Sequence, residues 1–438
     1  MKGIEAALLV WKEVGEGAFA SEALRRVSGQ LSPGDRKLAA LLVYSALRRR
    51  SLWRFMLEKR LRRPFKELKP ITRDALMLGL AGLMELKRFN PGPLYNGLAQ
   101  VMKAQGADDE VPLFHGVLKR LEREGQELLD RLRVSSSPRD VAMYHGLPLW
   151  GLSLFMDQWG PKKGRELARL MGMTRYSSFF VPPSEREGLM DAMRSAGIRC
   201  WPSDELDFSV RTCSHGFPPE VPGYREGLLR PMSESSMWVV RCAVHLAKGG
   251  RVLDMCCGRG VKGSALLSLD DRVTLEGWDI SEGKVRAARG DLDLRGLSDR
   301  GVIRAGDALD LIPEEEPHLV LLDAPCSGSG TWGRHPEGKW RMSPEEVDRL
   351  SGLQRRLLDR ALSLVPKGGR VIYSTCSLFR EENERVVGEV LSSRRDVVEE
   401  PFPFRGADIV KGRPFGVYVW PRLPWADGFY CAVLYRRG

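Results

Sequence analysis

Through the first 134 residues, apolar side chains recur at the spacing of an α-helix, and no segment alternates as a β-strand does. Ser32 and Pro33 suit an N-cap and a first helical position. The residues that follow on one helical face are Leu38, Leu41, Leu42, Ser45 and Ala46. Further helices are predicted over residues 72–86, 93–104 and 111–124. The pattern therefore predicts an all-helical domain over residues 1–134.

A short polar stretch then interrupts the pattern. Residues 135–138 read SSSP, which is typical of a domain boundary. Helical spacing continues to about residue 173, the stretch SSFFVPP predicts a short strand, and residues 185–196 predict a helix. A loop-rich stretch extends to residue 231. We expect residues 135–232 to form a small α+β connecting module.

From residue 233 onward, strand and helix patterns alternate, which predicts a doubly wound parallel sheet of the Rossmann-like α/β class over residues 233–438. One long helix is predicted over residues 343–364, opened by Pro344 and followed by two glycines. The predicted strands cover residues 251–254, 274–279, 301–305, 319–323 and 370–373, with a later pair at 416–420 and 430–435.

Composition limits the class of protein. A chain of 438 residues with 43% hydrophobic and 29% charged residues predicts two or three globular domains. No stretch approaches the roughly 20 apolar residues that a membrane span needs, and the amphipathic first 19 residues do not resemble a signal peptide. We therefore expect a cytoplasmic protein. Its eight scattered cysteines contain no C-x-x-C pair, which favours reduced thiols and argues against a metal site.

The net charge of +11 is concentrated near the amino terminus. Residues 48–73 hold 11 basic and two acidic residues, interleaved with Trp53, Phe55 and Phe65. Such a patch on a folded segment predicts a nucleic-acid partner. The alternative is a solvated helix face whose long side chains lie along the surface.

Residues 321–330, LLDAPCSGSG, end a buried strand with an acid, a proline and a cysteine. Ligands bind at the carboxyl ends of the strands in open α/β sheets, so Asp323 and Cys326 are candidate site residues. A buried, unreactive cysteine is the alternative. A second cysteine, Cys376, follows the strand predicted at 370–373. Since the fourth and fifth strands of such a sheet lie near each other, we expect Cys326 and Cys376 to face one cleft.

The first predicted strand leads into a glycine-rich turn, VLDMCCGRGVKG, that allows close approach of a nucleotide. Asp279 ends the second strand 21 residues after Gly258, at the position of a ribose-binding acid. Asp307 follows the third strand. The turn lacks the G-x-G-x-x-G spacing of a dinucleotide site, so we predict S-adenosylmethionine as the cofactor and leave a nicotinamide-dependent enzyme as an alternative.

Three motifs, VLDMCCGRGVKG, LLDAPCSGSGTWGRHPE and YSTCSLFREENERVV, resemble the signatures of the RNA 5-methylcytosine methyltransferases of the Sun/Fmu family. The segments LSPGDRKLAALLVYSALRR and LFHGVLKRLE resemble the NusB-like helical domain of its bacterial ribosomal-RNA members. The resemblance covers nearly the whole chain. It implies a NusB-like RNA-binding domain, the connecting module, and a Rossmann-like S-adenosylmethionine-dependent methyltransferase domain acting on RNA, most simply 16S ribosomal RNA.

The resemblance also implies a role for each candidate residue. Cys376 would be the nucleophile and Cys326 would assist product release, while Asp323 would contact the target base. The reverse order of the two cysteines stays open, because DNA cytosine methyltransferases carry their nucleophile in a Pro-Cys motif. Lys262 would lie near the methionine carboxylate or the catalytic thiol. The cofactor would be held by Cys256, Cys257, Gly258, Arg259, Gly260, Val261, Lys262, Asp279 at the ribose, Asp307 at the adenine, and Asp323.

The glycine-rich turn departs from the family pattern. Family members read A-P-G-G-K where this chain has GRGVK at residues 258–262, so the lysine is retained and the proline and second glycine are not. A second hypothesis is therefore a non-catalytic RNA-binding or ribosome-assembly factor on a methyltransferase scaffold. We expect a monomer, with no membrane partner.

Overall fold

The computed structural model describes residues 2–86, 90–213 and 220–438. These residues form two compact units. The first comprises residues up to Met173 together with Trp332–Arg341, and the second comprises Thr174–Thr331 and Met342–Gly438. The first unit thus extends beyond residue 134 and includes ten residues from the carboxyl-terminal half. The division into domains at residues 134 and 232 stays a prediction, and the compact units do not follow it.

The first unit is helical throughout its described residues. Ser32 caps its third helix by accepting the backbone N–H of Asp35, as predicted. Helix α9 is interrupted at Gly160, which has a non-helical φ of 80°. The next residue is Pro161, which lacks the N–H that a helix interior requires. The helices are α1 (Gly3–Gly15), α2 (Ala20–Ser28), α3 (Pro33–Arg48), α4 (Arg50–Glu58), α5 (Pro70–Glu85), α6 (Pro91–Ala104), α7 (Val111–Val134), α8 (Pro138–His145) and α9 (Leu149–Met171).

One expectation for this unit was wrong, and one predicted helical face is only partly buried. Leu42, Ser45 and Ala46 are buried on the predicted face of α3, but Leu41 is 38% exposed. Trp53, expected among the aromatic residues of the basic patch, is fully buried, and its indole N–H donates to the carbonyl oxygen of Ser45. Its large apolar surface stabilises the helical core instead of lying open to a partner.

Residues 332–341 pack within the helical unit through side-chain hydrogen bonds to helix ends. Nζ of Lys339 donates to the carbonyl oxygen of Arg48 over 2.8 Å, and the Trp340 indole donates to that of Leu47 over 2.6 Å. Glu337 accepts the backbone N–H of Ala20. These contacts satisfy backbone groups at the end of α3 and the start of α2. No sequence pattern predicted this segment's position.

The second unit contains a small antiparallel sheet in the order β2-β3-β1-β4. In its core, Arg211 of β3 forms a two-pronged ion pair with Glu234 at the start of α11. The predicted strand in SSFFVPP and the helix near 185–196 are confirmed. Part of the predicted loop-rich stretch, residues 214–219, lies outside the described residues. The elements are β1 (Ser178–Phe180), α10 (Arg186–Ser195), β2 (Cys200–Pro202), β3 (Ser209–Thr212), β4 (Arg230–Pro231) and α11 (Glu234–Ala247).

The main sheet of the second unit has nine strands among the described residues. Every strand predicted for residues 233–438 is present. The elements are β5 (Arg251–Asp254), α12 (Val261–Leu269), β6 (Thr274–Asp279), α13 (Glu282–Leu294), β7 (Gly301–Ala305), β8 (Leu319–Asp323), α14 (Pro344–Leu364), β9 (Arg370–Thr375), α15 (Glu384–Ser393), β10 (Val397–Glu400), β11 (Ile409–Lys411), β12 (Val417–Val419) and β13 (Phe429–Arg436).

Strands β7, β6, β5, β8 and β9 are parallel and adjacent in that order, whereas β13, β12 and β11 continue the sheet in antiparallel pairs. The order in which strands are added to the sheet reverses between β5 and β8, because β6 and β7 extend to one side of β5, and β8 and β9 extend to the other. A crevice forms outside the strand ends at such a switch point. The doubly wound prediction is therefore confirmed. None of the described helices is long and apolar enough to cross a membrane.

Candidate active site

Cys326 and Cys376 meet at the carboxyl ends of β8 and β9. These strands are parallel neighbours with Asp323 paired to Ser374, so the loops that follow them start side by side. The two Sγ atoms lie 3.2 Å apart, and both residues are half-buried. The predicted convergence is confirmed. A hydrogen bond with Cys376 and burial raise the pKa of Cys326, with a further contribution from nearby negative charge.

Lys262 and Asp323 form an ion pair across the switch point. Lys262 is the second residue of α12, and its Nζ atom donates to Oδ2 of Asp323, while Oδ1 accepts the Ser374 hydroxyl over 3.2 Å. Burial opposes the charged lysine, but interactions with Asp323 and with the thiolate form of Cys376 outweigh burial and raise the pKa of Lys262. The side chain therefore brings a fixed positive charge to the cysteine pair.

The glycine-rich turn lies between β5 and α12. Gly258 and Gly260 adopt φ values of 59° and 72°, which residues with a Cβ rarely adopt. A Cβ on Gly260 would come within 3.0 Å of Cβ of Ala288, whereas one on Gly258 would meet no described atom within 4 Å. Gly258 thus leaves room for a ligand to approach the turn. Val261 begins α12, and Arg259 is exposed at the tip of the turn.

Asp279 holds this turn in place from the end of β6. Its Oδ2 accepts the backbone N–H of Gly258 over 3.0 Å and its Oδ1 accepts that of Ser281 over 2.9 Å. Each carboxylate oxygen keeps a second lone pair for a ribose hydroxyl. Asp307 is exposed after β7, where its Oδ1 accepts the N–H of Leu309. Ile280, which sequence reasoning missed, is 74% exposed beside Asp279 and offers an apolar surface to a base ring.

The neighbouring thiols Cys256 and Cys257 lie in the same turn. Burial is the largest cause of a raised pKa in both, followed by the negative charge of Asp254. Both thiols are therefore protonated at neutral pH, and they pack in the wall of the turn. Among the described residues, no group of histidine, cysteine and acidic side chains is arranged to hold a metal ion.

Two buried carboxylates were also missed from the sequence. Asp254 ends β5 and is 1% exposed, and its Oδ1 has no hydrogen-bond partner in the described part of the chain. Burial raises its pKa to about 7, despite the opposing charge of Lys262. An unpaired buried acceptor at the head of a ligand crevice suits a cationic group. Glu382, fully buried after β9, contacts both cysteine loops. The sequence could have indicated both acids, because Asp254 is the last residue of the predicted strand before the glycine-rich turn and Glu382 follows Cys376 by six residues.

A parallel sheet with its crevice at the switch point, an open glycine turn and acids after successive strands together define a Rossmann-like, S-adenosylmethionine-dependent methyltransferase domain. The unpaired Oδ1 of Asp254, the open side of Gly258 and the Asp279 carboxylate fit the amino, nucleoside and ribose groups of that cofactor. The sequence pattern of the family described as 16S rRNA methyltransferase RsmB/F matches residues 242–435. The pattern of the NusB family matches residues 5–123.

Relatives match over more than nine-tenths of the chain. Ribosomal RNA small subunit methyltransferase B of Thermus thermophilus is 32% identical and covers 92% of this chain and 89% of its own. The probable ribosomal RNA small subunit methyltransferase B of Bacillus subtilis is 26% identical, covering 94% and 93%. The chain therefore belongs to the 16S rRNA methyltransferase RsmB/F family, and it is an RNA methyltransferase that uses S-adenosylmethionine.

Solved structures show the same fold. The crystal structure of PH0851 aligns with 99% of this chain and 98% of its own at a TM-score of 0.82 and 20% identity. NSun6 from Pyrococcus horikoshii, solved with the S-adenosylmethionine analogue SFG, aligns with 66% of this chain and 98% of its own at a TM-score of 0.57 and 16% identity. At these identities the similarity concerns the fold alone.

Proposed function

We propose that this enzyme methylates carbon 5 of a cytosine in small-subunit ribosomal RNA through a covalent adduct with Cys376. The observation that carries the proposal is the pair of thiols 3.2 Å apart beside the Lys262–Asp323 ion pair. The names of the relatives support ribosomal RNA as the substrate. An enzyme that acts on ribosomal RNA would work in the cytoplasm, where that RNA is found.

The chemistry requires a nucleophilic sulfur, because carbon 5 of cytosine is itself a poor nucleophile. Addition of the Cys376 thiolate to carbon 6 forms a C–S bond and moves electron density to carbon 5 as an enamine. The bound cofactor supplies an electrophilic methyl group. The Asp323 carboxylate would accept a hydrogen bond from the exocyclic amine, or from ring nitrogen 3 once that nitrogen carries a proton. Lys262 would balance the negative charge of the thiolate and of Asp323.

Release requires loss of the proton from carbon 5. When a base removes this proton, the C–S bond breaks and its electron pair returns to Sγ of Cys376. Cys326 lies next to that sulfur, and this proximity supports a role for it in release. Cys376, rather than Cys326, is assigned as the nucleophile because its motif, YSTCS, resembles the nucleophile motif of the Sun/Fmu family.

The target base must leave its stack to expose carbon 6 to the thiolate. Single-stranded RNA or an extruded base meets this need. The first unit offers a surface for the remaining RNA: a concavity of about 400 Å³ lined mainly by Arg54, Arg62, Arg63, Phe65 and Lys66. Cations around an aromatic ring suit a phosphate backbone and an unstacked base.

Trapping of the adduct tests the mechanism. Cys326→Ala incubated with unmodified 16S RNA and S-adenosylmethionine should accumulate an RNase-sensitive protein–RNA band on denaturing gels. Cys376→Ala should give none, and Cys200→Ala, in the core of the small sheet, should behave as wild type. An adduct from Cys376→Ala would reverse the roles of the two cysteines. Bisulfite sequencing of ribosomal RNA from cells with and without the enzyme would identify the cytosine.

A further inference from the structure

A buried polar network joins the two cysteine loops, and Glu382 is at its centre. The side chain is fully buried and accepts four hydrogen bonds from described residues. Its Oε1 accepts the backbone N–H of Ser327 over 2.7 Å and the amide N–H of Gln354 over 3.0 Å. Its Oε2 accepts the hydroxyls of Ser327 and Ser377. All four partners donate, as an ionised carboxylate requires.

The partners of Glu382 are the immediate neighbours of the two thiols. Ser327 follows Cys326, and Ser377 follows Cys376. The Gln354 side chain of α14 also donates to the carbonyl oxygen of Pro325 over 2.8 Å, so it fixes the residue before Cys326. One carboxylate therefore fixes the backbone next to both sulfur atoms.

The backbone of Glu382 is held as firmly as its side chain. The hydroxyl of Tyr373, in the middle of β9, donates to the Glu382 carbonyl oxygen over 2.6 Å. Asn383 accepts the Thr375 hydroxyl over 2.6 Å and donates to the carbonyl oxygen of Ser377 over 3.0 Å. The loop from Cys376 to Glu382 is thus closed on the strand that precedes it. Hydrogen bonds at both ends leave Glu382 little freedom to move.

Stability alone does not account for a charge at this position. Burial raises the pKa of Glu382, and its serine and glutamine partners oppose that rise. A well-packed apolar side chain in place of a buried charge is often neutral or stabilising. A satisfied polar network does, however, select one geometry. Here the network fixes the relative positions of the two loops that carry the thiols.

We propose that Glu382 is a positioning residue that sets the separation of Cys326 and Cys376 by hydrogen-bonding the residue after each. The consequence for turnover rests on the proposed function of the two thiols. The consequence for their separation does not, and it can be measured without RNA.

Two substitutions separate the contributions of charge and of contact. Glu382→Gln keeps the side-chain volume and an amide oxygen for Ser327 and Gln354, and its amide N–H groups can donate to the serine hydroxyls. Glu382→Ala removes every side-chain contact. A displacement of about 1 Å at a reacting atom can cost 10²-fold, so we expect the kcat of Glu382→Ala to fall about 100-fold, with partial recovery in Glu382→Gln. KM for RNA and Kd for S-adenosylmethionine should stay within about threefold.

Glu381→Gln provides a matched control. Glu381 is the adjacent acid, is half-buried, and its Oε2 has no hydrogen-bond partner among the described residues. The same chemical change should therefore leave kcat and thiol separation as in wild type. Circular dichroism and thermal unfolding of each variant would show that it is folded.

The separation of the thiols is read out by oxidation with diamide. Formation of one S–S bond transfers two protons and two electrons to diamide, which becomes a hydrazine. Peptide mass spectrometry then identifies the 326–376 cross-link separately from other cysteines. Wild type and Glu381→Gln should cross-link fastest, Glu382→Gln more slowly, and Glu382→Ala slowest.

Two results would overturn the proposal: a cross-linking rate in Glu382→Ala equal to wild type, or a loss of activity confined to KM or to cofactor affinity. If wild type forms no 5-methylcytosine, the proposed function fails while the cross-linking comparison still decides the positioning role. If Glu382→Ala does not fold, Gln354→Ala and Ser377→Ala replace it. Each removes one donor to Glu382, and unchanged cross-linking in both would equally reject the proposal.

Discussion

Lys262 and Asp323 are joined by an ion pair that spans the point where the order of the parallel strands reverses. The lysine belongs to the helix that follows β5, and the aspartate ends the neighbouring strand β8. The pair links the helix after the glycine-rich turn to the loop that carries Cys326. The thiolate form of Cys376 also raises the pKa of Lys262, so the lysine interacts with both Asp323 and Cys376.

Substitution of either member of this pair should slow catalysis more than it weakens cofactor binding. Asp323→Asn keeps an oxygen that can accept the Ser374 hydroxyl but removes the charge, and we expect kcat to fall about 100-fold. Lys262→Met leaves the aspartate without its counter-ion and should also destabilise the fold, by about 1–3 kcal/mol. The measurements are single-turnover methyl transfer, calorimetric affinity for S-adenosylmethionine, and urea unfolding. In the double variant the losses should be less than additive, and strictly additive losses would show that the two side chains act independently.

Asp254 predicts a pH dependence of cofactor affinity. Its pKa of about 7 means that the carboxyl group is mainly protonated at pH 6 and mainly ionised at pH 8. A bound cation favours the ionised form, so binding should release a proton and strengthen as pH rises towards 7. The ratio of wild-type to Asp254→Asn affinity should rise by up to about tenfold per pH unit below 7 and level off above it. Titration of the ligand itself cancels in this ratio, which calorimetry measures directly. A ratio that does not change with pH would mean that Asp254 does not contact the cationic group.

The catalytic sheet could be predicted from sequence because its strands are short apolar runs bounded by turn residues. Residues 251–254, 274–279, 301–305 and 319–323 have the predicted bounds. The meeting of Cys326 and Cys376 followed from topology, since parallel neighbouring strands end at one edge. The positions of the residues that follow these strand ends could therefore be predicted from the sequence.

Side-chain networks could not be predicted from the sequence, because they depend on tertiary contacts rather than on the spacing of apolar residues along the chain. Glu382 lies in an acidic run, REENE, yet it is fully buried, and acidic side chains are rarely fully buried unless they are paired. Residues 332–341 pack with helices almost 300 positions earlier, as the Lys339 contact to Arg48 shows. Trp53 was counted among the aromatic residues of the basic patch because cations flank it in the sequence, but its side chain is fully buried in the helical core.

The basic surface of the first unit should contribute to RNA affinity without sequence preference. Arg62 and Lys66 are exposed at the concavity and have no ion-pair partner among the residues described, whereas Arg63 pairs with Glu110. Arg62→Ala/Lys66→Ala should lower the slope of log affinity against log salt concentration by about 1.4–1.8, because each phosphate contact releases counter-ions. Filter binding from 50 to about 200 mM salt measures the slope. Arg133→Ala, at an exposed arginine paired with Asp130, is the matched control. Equal slopes for the double variant and wild type would place the RNA elsewhere.

Gly330 should tolerate no side chain, because it lies against the backbone of another loop. Its N–H donates to the carbonyl oxygen of Cys376, and its carbonyl oxygen accepts the N–H of Gly428. A Cβ at Gly330 would lie 2.0 Å from the Gly428 carbonyl oxygen, so the loops would have to separate. Gly330→Ala should destabilise the fold by about 1–3 kcal/mol and reduce methyl transfer more than cofactor binding.

Gly352→Ala is the control for this substitution. Gly352 lies within α14, and a Cβ there would meet no described atom within 4 Å. Alanine in a helix interior should stabilise by up to about 1 kcal/mol, with methyl transfer unchanged. Thermal unfolding and single-turnover assays of both variants test the difference. Normal turnover by Gly330→Ala would show that the contact between the Cys326 loop and Gly428 is not needed for the geometry of the thiols.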